Sequence, residues 1–282
     1  MFLGLELEVV DATGEMYIHQ ATFVRQLLTK HGLDKTSKSV TSITMAIPTP
    51  EDLPPTAAEL KKLQGLAGEL NWLATRTRAD LAYFTSVIAS SASAHGDWTL
   101  QLCKKVLRYL CGTVTQGIRY PRGGDETALY AWSDAGYGGP GMRSQTGSLI
   151  AWGGAVVVWR SSRQPVSALS TCEAEVAAAA LTFQVVEGLH SLLLEWHVLV
   201  GPPVLLIDNK SALQVTEVGG TWRTRYFAVR AARLGEEHRR GHVVTLFCPT
   251  ADMAADALTK MCTALVLDNL RRSMDAYLPA LP

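Results

Sequence analysis

Four acidic residues sit where a packed chain has reason to avoid charge. Asp134 closes the apolar run "ALYAWSDA" and precedes the glycine-rich "AGYGGPG". Asp208 closes a second apolar run, "PVLLIDN". Glu175 stands among alanines in "STCEAEVAAAA", and Asp256 lies in the small-residue stretch "MAADALTK". Carboxylates gathered in one crevice repel each other unless cations neutralise them. An all-oxygen ligand set suits Mg²⁺ or Mn²⁺ better than zinc or copper. Two such ions can activate a water and stabilise the leaving oxygen in phosphodiester cleavage. Competing chemistries lack their motifs: there is no G-x-S-x-G, no H-E-x-x-H and no Walker lysine. Taken alone, each strand-end aspartate is equally well a turn former or a helix cap.

For these side chains to meet, strand ends and helices must converge. "ALYAWSDA" reads as a strand ending at Asp134, and "GSLIAWGG" and "AVVVWRSS" as two more, joined at Gly153-Gly154 as a hairpin. A long helix is expected over 171–198, then a strand buried on both faces at "PVLLIDN". A short helix from Lys210, a basic helix from about Thr224, a strand "HVVTLFCP" and a final helical region at "TADMAADALTK" complete the order β-β-β-α-β-α-α-β-α. Active sites of open α/β sheets gather at the carboxyl ends of strands, where Asp134 and Asp208 fall. Ser170 and Glu173 fit the S-x-x-E capping box, in which the glutamate reaches back to the N-cap amide. At about 100° per residue, Glu175 projects from nearly the opposite side of that helix.

The first half has a different texture. Residues 3–10 alternate, with Leu3, Leu5, Leu7 and Val9 expected on the half-buried side of a strand, and "MYIHQ" follows as its hairpin partner. A helix with Phe23, Leu27 and Leu28 on one stripe stops at Gly32. A Ser/Thr/Pro-rich loop covers 37–55. Helices follow over 57–76, from Asp80, and over 97–112 with Asp97 as N-cap. "PRGGDET", residues 121–127, marks the boundary, giving domains 1–120 and 127–282. The chain is expected to begin in mid-structure, as a fragment would, and its first hairpin to expose an edge strand prone to self-association.

The chain of 282 residues is 48% hydrophobic and 18% charged with zero net charge, which excludes a disordered chain and a uniformly basic nucleic-acid binder. Any phosphate-binding surface must be local, and Arg160, Arg163, Arg223 and Arg225 are its candidates. The five cysteines are scattered without a C-x-x-C pair, which argues against zinc ligation and a disulfide framework. No apolar run reaches the roughly 18 residues of a spanning helix, and the N-terminus lacks the basic start of a signal peptide. The expected location is intracellular, cytoplasmic or nuclear, with no membrane partner.

The stretches "SDAGYGG", "SLIAWGGAVVVWRSSRQPVSALSTCEAEVAA", "LLIDNKSAL", "RTRYFAVR" and "CPTADMAADALTK" resemble the ribonuclease H domain of copia-type retrotransposon polyproteins. "FLGLELE", "IHQATFVRQLLTKHGL", "LQGLAGELNWLATRTRADLAY" and "CKKVLRYLCGT" are similar to the end of the reverse transcriptase palm, its thumb and the connection. The resemblance implies an α/β, RNase H-like fold, a five-stranded mixed sheet with its first three strands antiparallel and helices on its flanks, preceded by a β-hairpin and a small helical region. It implies hydrolysis of the RNA strand of an RNA–DNA hybrid with two Mg²⁺ (or Mn²⁺) ions and no small-molecule cofactor. Carried over position by position, the metal carboxylates fall on Asp134, Glu175, Asp208 and Asp256. Asp134 and Asp208 would anchor the ions, Glu175 would orient one side and Asp256 would complete the second. Asn209 joins the four arginines as an expected nucleic-acid contact, and the upstream fingers and palm are the expected protein partner. Two departures stand out. The aspartate pair of the polymerase site is absent, and the family's "TKHID"-like stretch is "TRYFAV" here, with Tyr226 and Ala228 replacing His and Asp. The alternatives are a folded but non-catalytic relic that binds nucleic acid, and an integrase-type nuclease of the same superfold.

Overall fold

The N-terminal alternation does form a hairpin, but its leucine side is not a covered face. Strand β1 (Glu6–Val10) pairs antiparallel with β2 (Glu15–His19), Glu6 opposite His19 and Val10 opposite Glu15. The side expected to be half-buried is exposed: Leu3, Leu7 and Val9 all face solvent. The glutamate side is the one held. The Glu6 carboxylate accepts from the Thr22 amide at 2.6 Å and the Thr22 hydroxyl at 3.0 Å, while Glu8 lies 3.0 Å from His19 Nε2. The reason is local. Helix α1 (Ala21–Lys30) has no side-chain cap of its own, and Glu6 meets its unpaired first-turn amide. The helix ends as expected. Gly32 takes φ +70°, and the Leu33 amide returns to the Leu28 carbonyl at 2.9 Å.

The structure is a computed structural model that describes residues 2–10, 12–33, 38–46, 48, 53–139, 142–218 and 227–275. The chain divides into two compact units, one of Met1–Arg119 with Met261–Asp275, the other built from Tyr120–Lys260. In the first, α2 (Ala57–Ala74) opens on a full capping box between Thr56 and Glu59 and buries Leu63, Leu66, Leu70 and Leu73 at helical spacing. A 3₁₀ turn (Ala79–Leu81) leads into α3 (Ala82–Ser91), and α4 (Gly96–Gly112) follows. Here the expectation for Asp97 is corrected: His95 is the N-cap, and Asp97 lies inside the first turn. A four-residue strand, β3 (Gly117–Tyr120), joins the hairpin in a sheet of order β1-β2-β3.

The centre of this unit holds charge. Arg78 and Asp80 are fully buried and doubly bonded, Nε to Oδ1 at 2.9 Å and Nη2 to Oδ2 at 2.8 Å. Tyr109 donates to the same carboxylate at 2.7 Å, and the Thr113 carbonyl and hydroxyl accept from Arg78 at 3.0 and 2.7 Å. Burial opposes ionisation, yet Arg78 and Tyr109 hold Asp80 below the usual carboxylate range.

In the second unit, β4 (Leu129–Gly136), β5 (Gln145–Trp152) and β6 (Ala155–Arg163) run antiparallel in sequence. Gly153 and Gly154 both take positive φ, +60° and +79°, as a tight hairpin between twisted strands requires. Helix α5 (Thr171–Glu195) then crosses back so that β7 (Val204–Ile207) lies parallel beside β4. Helices α6 (Lys210–Val218) and α7 (Ala228–Arg239) lead to β8 (Val244–Phe247), parallel to β7. The order β6-β5-β4-β7-β8 gives the five-stranded mixed sheet with three antiparallel strands that the resemblance implies. Among the described residues, α5 alone is long and apolar enough to cross a membrane. Its Val176, Ala179, Phe183 and Val186 instead join Leu129, Ala131, Ile150, Leu205 and Ile207 of the sheet in one core.

Beyond β8 the chain makes two 3₁₀ turns, Thr250–Asp252 and Ala254–Leu258, where an extended final helical region was expected. Helix α8 (Ala264–Asp275) then belongs to the first unit, where Leu267, Leu270 and Met274 are buried and Arg271 reaches Gln116 at 3.2 Å. The sequence division at 127–282 leaves this helix with the second half.

Candidate active site

Two parallel strands place the first two carboxylates. Ser133 on β4 is in register with Ile207 on β7, so Asp134 and Asp208 follow as the next residues on neighbouring strands. The chain leaves β4 toward β5 on one side, while β7 returns on the other. That is the switch point where open sheets form a crevice. Glu175 enters from the second turn of α5. Each of Asp134, Glu175 and Asp208 offers an oxygen within 4.8 Å of the other two. Asp256, from the 3₁₀ turn, stands beside them: its charge acts on both Asp134 and Asp208.

Small residues let that turn approach. A side-chain carbon at Gly136 would fall 2.3 Å from the Thr259 carbonyl oxygen, and one at Gly147 2.7 Å from the Thr259 methyl and 2.8 Å from the Ala255 carbonyl. Gly147 is the register partner of Asp134 on β5. The two glycines therefore allow residues 255–259 to lie directly on the sheet beside Asp134.

The cluster is short of hydrogen bonds for the charge it carries. The Thr259 hydroxyl donates to Asp134 Oδ2, and the Thr250 hydroxyl donates to Asp208 Oδ2 at 3.2 Å. Lys260 pairs with Asp256. Glu175 Oε2 is buried without a partner. Burial pushes Asp134 up to about 6, with repulsion from Asp256 and Asp208 adding to it and Thr259 opposing it. Burial pushes Glu175 further, to about 9, reinforced by Asp134 and Asp208 and resisted by the Ala135 amide. Asp208 is raised for the same first reason, burial. One orphaned oxygen among mutually repelling carboxylates fits a hard divalent cation, which would satisfy Glu175 Oε2 and favour the ionised forms of its neighbours.

The other expected site residues are placed as follows. Ser170 Oγ accepts from the Glu173 amide at 3.1 Å, so the serine half of the cap is present. The glutamate half is corrected by one residue: Glu173 Oε2 accepts from the Leu169 amide at 2.7 Å, not from Ser170. Asn209 caps α6, its Oδ1 accepting from the Ala212 amide at 3.0 Å. Arg160 and Arg163 are exposed on β6 and lie on opposite faces. Arg160 is in register with Ser148, whose hydroxyl meets Thr182 of α5 at 2.6 Å. Arg163 is in register with Gln145 and two residues from Ser161, whose hydroxyl meets the Leu258 carbonyl at 2.6 Å on the Asp134 face. Arg223, Arg225 and Tyr226 lie outside the described residues. Thr250, Thr259 and Lys260 were not singled out by sequence reasoning, although all three lie in "CPTADMAADALTK".

The relatives of this chain over most of its length are retrovirus-related Pol polyproteins of copia-type transposons, at 25–29% identity. One is the Pol polyprotein from transposon RE1 of Arabidopsis thaliana, 29% identical over 283 residues, covering 95% of this chain and 18% of that relative. Another is that from transposon TNT 1-94 of Nicotiana tabacum, 25% identical and covering 92% of this chain and 20% of the relative. The chain thus spans about a fifth of the curated relatives it matches. No family model matches it. Among solved structures it is similar to LC11-RNase H1 isolated from compost, with 14% identity, a TM-score of 0.40, and coverage of 47% of this chain and 93% of that one.

Proposed function

We propose that the second unit is a divalent-metal endoribonuclease that cuts the RNA strand of RNA–DNA hybrids. One observation carries the reading: Asp134, Glu175 and Asp208 crowd their oxygens within 4.8 Å at the switch point of a mixed sheet, with Glu175 Oε2 buried and unpartnered. The similarity to retroelement Pol polyproteins supports it. Asp134, Glu175, Asp208 and Asp256 would hold Mg²⁺ or Mn²⁺, two ions in all, which supply an activated water and charge stabilisation at a phosphodiester. Thr259 and Thr250 aim the carboxylates of Asp134 and Asp208 by fixing one oxygen of each. Arg163, on the Asp134 face of the sheet, would take a backbone phosphate. Recognition then rests on A-form-like shape and 2′-hydroxyls rather than base sequence.

The test is an end-labelled hybrid incubated with the protein in Mg²⁺ or EDTA, alongside Asp134→Asn. Cleavage of the RNA strand by the wild type in Mg²⁺ alone is expected. An intact RNA strand sinks the proposal and leaves the folded, non-catalytic reading. Cutting of duplex DNA instead points to an integrase-type nuclease.

A further inference from the structure

The carboxylate cluster contains one cation already, supplied by the chain itself. Lys260, two residues beyond the 3₁₀ turn, pairs with Asp256 within it, and its charge also acts on Asp134, Glu175 and Asp208. The residue before it, Thr259, donates to Asp134, so two consecutive side chains engage two different carboxylates. The two ends of the pair differ in exposure. The Asp256 side chain is 9% exposed, whereas that of Lys260 is 53% exposed. Neither Thr259 nor Thr250 brings charge, which leaves Lys260 as the compensating group that these contacts name.

We propose that Lys260 is a tethered counter-ion that holds the carboxylate cluster in the metal-free protein and competes with divalent ions for Asp256. The inference rests on the metal-site reading above and adds to it a threshold set by the chain. An ammonium and a divalent cation repel each other and want the same carboxylate oxygens. Loading therefore requires Lys260 to leave. Its long flexible stem permits that without moving the backbone. The cost of release weakens ion binding and keeps the cluster folded when ions are scarce.

The experiment compares the full chain with Lys260→Met and Lys260→Arg. Mg²⁺ binding is followed by calorimetry and melting temperature is measured in EDTA and in saturating Mg²⁺. A pair with one half-exposed end is worth up to about a fivefold change in affinity. Lys260→Met is expected to bind Mg²⁺ up to about fivefold more tightly, to melt lower than wild type in EDTA, and to lose most of that difference in Mg²⁺. Lys260→Arg should behave like wild type. Unchanged or weaker Mg²⁺ binding by Lys260→Met overturns the competition, and an unchanged melting temperature in EDTA overturns the counter-ion. If neither protein binds Mg²⁺ while the EDTA difference persists, the metal-site reading fails and the counter-ion stands.

Discussion

The Thr259 hydroxyl donates to Oδ2 of Asp134, joining residues 125 positions apart. This is the contact through which the last turn of the second unit holds the first strand-end carboxylate. Thr259→Val keeps the shape and removes the donor. A buried acceptor left unpaired costs about 1–3 kcal/mol. We expect Thr259→Val to unfold more easily by that order and to bind Mg²⁺ more weakly, because Asp134 loses the contact that favours its ionised form. Denaturation in EDTA and calorimetry with Mg²⁺ check the two parts. Wild-type values in both would show that the contact does not position Asp134.

The metal-free protein should lose stability as pH rises. Folding raises Glu175 from 4.5 to about 9 and Asp134 from 3.8 to about 6. Below the unfolded values both states hold these protons, and the contribution to folding is fully present. Between the unfolded and folded values the native state binds more protons than the unfolded chain, so stability falls with pH and is lost through about 6 and then about 9. In EDTA the melting temperature should decline from about pH 5 to pH 9, and Glu175→Gln should melt above wild type at pH 8. A flat wild-type curve would contradict the raised carboxyls.

Glu173 and Glu175 should separate cleanly by mutation. Glu173 takes the Leu169 amide ahead of α5 and points away from the cluster. Glu173→Ala should cost roughly 1 kcal/mol of stability, as helix caps do, and leave hybrid cleavage intact. Glu175→Ala should abolish cleavage. Loss of activity from Glu173→Ala at a temperature where the protein is folded would join the two residues in one job.

The first unit has its own vulnerable pair. Replacing Asp80 by Ala leaves Arg78 fully buried without its carboxylate. Breaking a buried pair from one side typically costs about 3–5 kcal/mol, whereas replacing both ends by well-packed apolar groups costs less. Arg78→Met with Asp80→Leu should therefore be more stable than Asp80→Ala alone in urea denaturation. The reverse order would mean that the contacts to Thr113 and Tyr109 dominate.

The strand ends, the Gly-Gly hairpin and the four carboxylates were legible because period-2 alternation and turn chemistry are local. What was misread was not local. Alternation in residues 3–10 announces two faces but not which one is covered, and Glu6 chose the inner side by meeting α1. Thr250, Thr259 and Lys260 are ordinary surface types whose importance comes only from the carboxylates beside them. Four residues were too few for β3 to announce itself. Asp80 reads as the start of a helix, since nothing in a sequence marks a charge as buried when its partner is two residues away.

The return of α8 to the first unit makes that unit discontinuous along the chain. On a ribosome, which releases residues in order, its core stays unfinished until Leu267, Leu270 and Met274 emerge, after the whole second unit has been made. A chain stopped after Lys260 would thus carry the second unit whole and a helical core lacking its last wall. Stop codons, splice junctions or processing cuts between the units would cost the first one more than the second.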